Sequence, residues 1–491
     1  MIHVRAEAEK NIRCAMAGKI LALRTLLVIF ISFLFLSCNL YLNLNNDDSS
    51  REFWAYNYAT DRDYRVRAEL LAEGVHCNVW VETGSGISNA QARSIADRYD
   101  RTIYGLMINS FGIENPSFSG RRFSDIMALA DYFGDEDGKL CILLLDIKDG
   151  YREGVNESYV AGYFWNGNFF SSAEVPGANE CDMIYIDTNP GMIGESFENV
   201  FTTLAHEMQH MINFVTRVTK ISNENEYAPM DIWIDEGLSS AAEYIVSGQH
   251  LSDRISWYNT NGGGNTTSGL IDQGNNFFVW ENRTTTTNPY PVLDDYATVY
   301  LFFQWLRLQK DDGVYRDIIS SNYYDYQSVA NAMGEDWSIL LRNWMAANYI
   351  NDSTGIYGYK GEISITAHMA PARTTISLYP GEGVYSPTDA GDTIPSQSGN
   401  IRYAGLNRIT VEVDDNDVFA PGALLTYNIN TVLDGAAETG TTTGKTASVN
   451  ITPMGRSVIP AYSGPYRIGA GDILSLNGKK RDFTSWNFQD K

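Results

Sequence analysis

Histidine and cysteine are scarce in this chain: 491 residues contain six and five of them. With so few histidines, any two at a chemically meaningful spacing stand out. The cysteines form no C-x-x-C pattern, and Cys77, Cys141 and Cys181 are too few for more than one disulfide. Cys77 and Cys141 sit in apolar runs, so buried thiols and a bridge are both compatible with the sequence. Basic charge is also short. Thirty-six Lys and Arg face 60 Asp and Glu, a formal net charge of −24. With no local basic patch, this argues against nucleic-acid binding. What the chain has in quantity is aromatic side chains, including 30 tyrosines and ten tryptophans. With 44% hydrophobic residues they suffice for a sizeable core, and the length suits two or three domains.

A long uncharged apolar run lies near the start. Residues 25–37 follow a basic region carrying Arg5, Lys10, Arg13, Lys19 and Arg24, with Met16 as a second candidate start. The run is short for a membrane span and suits a signal-peptide core. It ends in Phe35-Leu36-Ser37-Cys38, which resembles a bacterial lipobox with looser residues before the small Ser37. The expectation is a lipoprotein-type signal over 1–37 and a lipid anchor at Cys38. That puts the protein outside the cytoplasm, on a bacterial membrane at the surface or in the periplasm. An uncleaved anchor is the competing reading. Residues 38–67, rich in Asn and Asp, read as a polar tether.

Residues 68–352 read as one mixed domain. Residues 75–81 alternate as a strand does, and 140–145 form an apolar run of a buried strand. Residues 161–165 and 183–187 are further strand candidates. Residues 88–111 repeat apolar side chains at three and four, with Ser88 and Gln91 as a capping pair. The turn at Asp135-Glu136-Asp137-Gly138 could attract calcium, but four residues do not make a calcium loop. The Gly-, Asn- and Thr-rich stretch 247–295 reads as a long loop that either lines a groove or runs over the surface. A helix is then expected to begin with Asp294 as its cap. From about residue 360 to 491, short β-like runs at 362–367, 374–379, 409–413, 423–429 and 447–451 alternate with turn residues, predicting a β-rich C-terminal domain.

The chemistry concentrates in Ala205-His206-Glu207-Met208-Gln209-His210. In a helix, His206 and His210 project from one face one turn apart. Both can bind one zinc ion, while Glu207 between them reaches the attacking water. Phe201, Leu204, Met208, Met211 and Val215 make a separate apolar stripe, so the histidines are not core padding. A catalytic zinc takes three protein ligands and leaves one position open. Downstream of His210 the only histidines are His250 and His368, and neither extends the motif. Glu236, in Trp233-Ile234-Asp235-Glu236-Gly237, is the best third ligand. Gly237 beside it permits close helix approach. Glu243 shares the face of Glu236 and is a candidate to orient a ligand histidine.

H-E-x-x-H followed by W-x-x-E-G-x-x-x-x-x-E-Y resembles the gluzincin metallopeptidases, and the W-x-x-E-G segment is similar to the zinc aminopeptidases. Over residues 70–350 the chain resembles the hyicolysin family of neutral zinc metallopeptidases, through 162–165, 183–187, 206–210, 233–244 and 296–306. The resemblance implies an α+β fold with a zincin-like catalytic domain: a twisted mixed sheet over the metal helix, with a helical lower half. It also implies an edge strand that pairs with extended substrate, for which 183–187 is the candidate. It further implies a tyrosine or histidine that stabilises the oxyanion. Tyr296 is the candidate, and Tyr300, one turn on, competes.

The function expected is hydrolysis of protein or peptide substrates by an endopeptidase with one zinc ion. His206, His210 and Glu236 would be its ligands and Glu207 its general base. An aminopeptidase is the nearest rival, but the G-x-M-E-N-type exopeptidase motif is missing from the sequence. A surface lipoprotein that binds a partner through its β domain is the rival of another class. The intact set of His206, Glu207, His210 and Glu236 weighs against it.

Overall fold

A computed structural model describes residues 49–112, 138–156, 159–170, 172–173, 175–193, 198–219, 230–262, 271, 291–368 and five short strands between 375 and 428. The signal segment, Cys38, residues 135–137 of the acidic turn and the run at 447–451 lie outside these residues. The chain divides into 1–51 and 52–491, and the second unit carries all of the architecture described below except the first two residues of β1.

Six strands make one mixed sheet: β1 (Ser50–Asn57), β2 (Arg62–Glu73), β3 (Cys77–Glu82), β4 (Leu140–Leu145), β5 (Gly162–Phe164) and β6 (Met183–Asp187). Their order is β1-β2-β3-β4-β6-β5. β3, β4 and β6 run parallel, β2 is antiparallel to β3, and β5 is antiparallel to β6. Alternation in β3 appears directly as alternating burial, whereas the apolar run of β4 is buried at all six residues. A bulge at Leu71, between Leu70 and Ala72, sharpens the twist of β2 against β3. β1 is tied to the far end of the sheet. The Trp54 N–H donates to Asn179 Oδ1 at 2.8 Å, and the Tyr56 N–H donates to the Tyr163 hydroxyl at 3.1 Å.

Two expectations change here. Strands β1 and β2 occupy part of the stretch read as a polar tether. Phe53, Ala55, Tyr56, Val66 and Ala68 are buried, and their spacing was hidden among charged neighbours. The edge strand is not 183–187. β6 has β4 on one side and β5 on the other, so on that side the short β5 is the edge among the described strands.

Residues 89–111 form α1 (Asn89–Arg98), a π-helical turn (Tyr99–Ile103) and α2 (Tyr104–Phe111). Ser88 caps α1: its hydroxyl accepts from the Gln91 N–H, and its own N–H donates to Gln91 Oε1 at 2.8 Å. α1 packs on β2 and β3. The metal-motif helix α3 (Glu198–Thr219) lies against β5 and β6 on one side and α4 (Ile232–Ser247) on the other. α5 (Ser252–Asn259) interrupts the stretch expected to be loop, and buries Tyr258. α6 (Pro291–Gln309) packs on both α4 and α5. It begins at a proline, three residues before the expected Asp294 cap, because proline suits a first helical turn. Asp294 instead accepts from Trp257 Nε1 at 2.6 Å. α7 (Gly313–Ser320), α8 (Tyr326–Met333) and α9 (Trp337–Ile350) complete the helical half.

Layering from the sheet through α3 and α4 to α6 depends on glycine at two places. A Cβ on Gly162 of β5 would lie 2.8 Å from Thr203 of α3, and one on Gly237 of α4 would lie 2.3 Å from the Phe303 ring of α6. Phe303 cannot swing aside, since it is itself buried among Trp233, Phe302 and Tyr315.

Residues 362–367 are not a strand. Ile363, Ile365 and Ala367 are buried in alternation, as the sequence pattern implied. Three of their backbone groups bond to side chains instead: Asn259 Nδ2 donates to Ser364 O, Asn351 Nδ2 to Ile365 O, and the Thr366 N–H to Asn259 Oδ1. Beyond them, β7 (Thr375–Leu378) pairs antiparallel with β10 (Ile409–Glu412), and β9 (Gly399–Tyr403) lies between β8 (Gly383–Pro387) and β11 (Leu425–Asn428). Cys77, Cys141 and Cys181 are buried. Burial, reinforced by the Asp100 carboxylate, pushes the Cys77 thiol up to about 12. Among the described residues no helix is long and apolar enough to cross a membrane.

Candidate metal centre

α3 is buried around its whole circumference from Ala205 to Arg217. The apolar stripe alone cannot account for that. The other faces carry polar residues, and these meet α4. His206, Glu207 and His210 from α3 converge with Glu236 from the second turn of α4, all four buried. His206, His210 and Glu236 each offer one ligand atom, and these atoms lie within 4.8 Å of one another. Glu236 Oε2 is 3.3 Å from His206 Nε2 and 3.9 Å from His210 Nε2. Ligand atoms around a tetrahedral zinc, each about 2.1 Å from the ion, stand roughly 3.4 Å apart. The two imidazole rings have their centres 4.8 Å apart and are nearly perpendicular, so they do not stack face to face.

Hydrogen bonding sharpens this. Among the described residues, His206 Nε2, Glu207 Oε2 and both oxygens of Glu236 are buried and make no hydrogen bond. Buried polar atoms without partners are costly, and several pointing into one space call for a shared partner. The cluster also holds more negative than positive charge. Glu207, Asp235, Glu236 and Glu243 surround two histidines. Buried carboxylates need compensation, which a divalent cation supplies. The donor set of two imidazoles and one carboxylate suits zinc.

The far nitrogens of both histidines are held. His206 Nδ1 lies 2.9 Å from Glu243 Oε1. His210 Nδ1 lies 3.0 Å from Asp235 Oδ2 and 3.1 Å from Ser239 Oγ. Burial works to lower the affinity of His206 for protons, but Glu236 and Glu243 outweigh it and hold the imidazole well above its ordinary range. His210 is raised in the same way by Asp235 and Glu236 against burial. Burial pushes Glu207 up to about 7. His206 and His210 oppose the rise, Glu236 adds to it, and the backbone N–H of Phe164 on β5 opposes it.

Sequence reasoning missed Asp235 and Ser239. The available signal was position: a carboxylate directly before the candidate ligand, and a hydroxyl three residues after it on the same helical face. Tyr296 lies in the second turn of α6, buried, with the Arg254 guanidinium 4.7 Å from its ring centre. The Tyr300 hydroxyl lies 2.9 Å from His250 Nδ1 and accepts from the Leu251 N–H at 3.0 Å. His250 and His368 are not in the metal cluster. His250 also reaches Glu362 at 3.4 Å, and His368 Nε2 contacts Tyr258 O at 2.6 Å.

An H-E-x-x-H helix whose two histidines group with a buried glutamate from the next helix, packed against a mixed sheet, defines the class as a metallohydrolase. No family model matches the sequence. The chain is 31% identical over 343 residues to the neutral metalloprotease ShpI of Staphylococcus hyicus, an alignment covering 67% of each protein. The chain belongs to the hyicolysin-type neutral metalloprotease family. It is accordingly a hydrolase of peptides, and membership implies a bound metal.

Proposed function

We propose that the protein is a zinc-dependent endopeptidase. The observation that carries this is the convergence of His206, His210 and Glu236 on one buried point beside Glu207. When bound, zinc supplies Lewis acidity to the scissile carbonyl and to the attacking water. Glu207 takes the proton of that water and passes it to the leaving amine. The Phe164 N–H bond to Glu207 couples the base to β5. β5 is an edge strand among the described strands, the kind of edge to which an extended peptide adds by backbone pairing. Glu243 fixes the ring of His206. Tyr296 donates to the developing oxyanion. Its competitor Tyr300 is less suited, because its hydroxyl already serves His250 and Leu251.

Residues 68–352, extended at their start by β1 and β2, make the catalytic domain, and 360–491 an appended β-rich domain. The lipobox-like segment ending at Cys38 would place the enzyme outside the cytoplasm on a lipid anchor, where its substrates would be extracellular proteins or peptides. Glu207→Gln tests the mechanism. The variant should keep its fold and metal and lose peptide hydrolysis by about a thousandfold or more. Hydrolysis near the unsubstituted rate would exclude Glu207 as the base.

A further inference from the structure

A histidine binds metal through Nε2 only when Nδ1 carries the ring proton. Whatever faces Nδ1 therefore decides whether the ligand atom is available. At His206 the arrangement is simple. Nδ1 faces one group, the Glu243 carboxylate. A carboxylate can only accept, so the proton stays on Nδ1.

His210 is different. Its Nδ1 faces two groups at nearly equal distance, Asp235 Oδ2 at 3.0 Å and Ser239 Oγ at 3.1 Å. A hydroxyl is both donor and acceptor. Ser239 can accept from a protonated Nδ1, or donate to a bare one and so favour the tautomer that blocks Nε2. Asp235 allows only the first arrangement. Its other oxygen accepts from Asn213 Nδ2, and Asn213 Oδ1 accepts from Gln209 Nε2 at 3.1 Å. Gln209, Asn213, Asp235 and His210 are all buried, so water does not compete for these bonds. Gln209 and Asn213 lie one turn apart on α3, flanking His210, while Asp235 reaches across from the first turn of α4.

We propose that Asp235 is a positioning residue. It sets the tautomer and ring orientation of His210 for metal binding, against the ambiguity of Ser239, and Asn213 and Gln209 hold it in place. The proposal rests on the metal-site reading above. One consequence is that the adjacent residues Asp235 and Glu236 divide the work. Glu236 turns to the metal, and Asp235 turns to the back of the histidine opposite.

The test is the zinc dissociation constant of the full chain, measured by competition with a chromophoric chelator, beside the melting temperature of each zinc-free protein. Asp235→Ala should weaken zinc binding about 10- to 100-fold. Ser239→Ala should stay within about twofold of the unsubstituted protein, since Asp235 still holds the proton on Nδ1. Adding Ser239→Ala to Asp235→Ala should recover part of the loss, because the competing donor is gone. A purely structural role would lower the zinc-free melting temperature of Asp235→Ala and leave its zinc affinity within about twofold, which would overturn the proposal. If Asp235→Ala does not fold, Asp235→Asn decides. Its amide oxygen still accepts, but without charge, so zinc should bind about threefold or more weaker, and unchanged affinity would overturn the proposal. Failure of the unsubstituted chain to bind zinc would instead overturn the metal site itself.

Discussion

The Tyr300 hydroxyl lies 2.9 Å from His250 Nδ1 and takes the Leu251 N–H at 3.0 Å, whereas Tyr296, one turn earlier on the same helix, packs its ring under Arg254. In the sequence Tyr296 is the candidate oxyanion donor and Tyr300, one turn on, competes; in the fold their surroundings differ. Tyr296→Phe should lower kcat about 100-fold or more while KM changes little, the pattern of an interaction made only in the transition state. Tyr300→Phe should leave kcat near normal and lower the melting temperature, because a buried hydroxyl network is broken. Steady-state kinetics of both variants on one peptide substrate distinguishes these outcomes.

Gly237 stands between Glu236 and the packing of α4 on α6. A methyl there would sit 2.3 Å from the Phe303 ring, which has no room to retreat. Gly237→Ala should cost about 1–3 kcal/mol of stability, the usual cost of overpacking a core. It should also weaken metal binding, because the displaced helix carries Glu236. Thermal melts with and without zinc check both effects, and a melting temperature unchanged in both states would contradict the packing argument.

Asp231, immediately before α4, is pushed up to about 7 by burial and by the neighbouring Asp325, with Trp233 Nε1 opposing the rise. Between the ordinary value of 3.8 and about 7, the folded protein holds a proton that the unfolded chain has released. The contribution of this group to stability is therefore present at low pH and is lost as pH rises through 7. Asp231→Asn removes the titration. Its melting temperature should exceed that of the unsubstituted protein at pH 8 and approach it at pH 4–5, as melts at the two pH values would show. A difference that does not change with pH would contradict the assignment.

Much of the site could be read from the sequence, because its spacing is helical and local. His206, Glu207 and His210 needed only the 3.6-residue period, and the scarcity of histidine downstream pointed to Glu236. Edges and partners could not be read this way. The five residues of β6 give no sign of which strands flank them, since a strand buried at every position looks the same wherever it lies in a sheet. Residues 362–367 showed the alternation of a strand, and the alternating burial is real, but Asn259 and Asn351 supply the bonds that a strand would have made. Asp235 was overlooked for a similar reason. Its partner His210 is 25 residues away in sequence, and only the packing of α3 on α4 brings the two together.

The most direct test of the central claim is the metal content of the purified full chain, measured by elemental analysis together with peptide hydrolysis before and after chelation. About one zinc per chain is expected, lost on chelation together with activity and restored with it when zinc is returned. His210→Ala should carry little or no zinc. A chain that purifies without zinc and hydrolyses peptide equally well in the presence of a strong chelator would contradict the metal site, and with it the function proposed for His206, Glu207, His210 and Glu236.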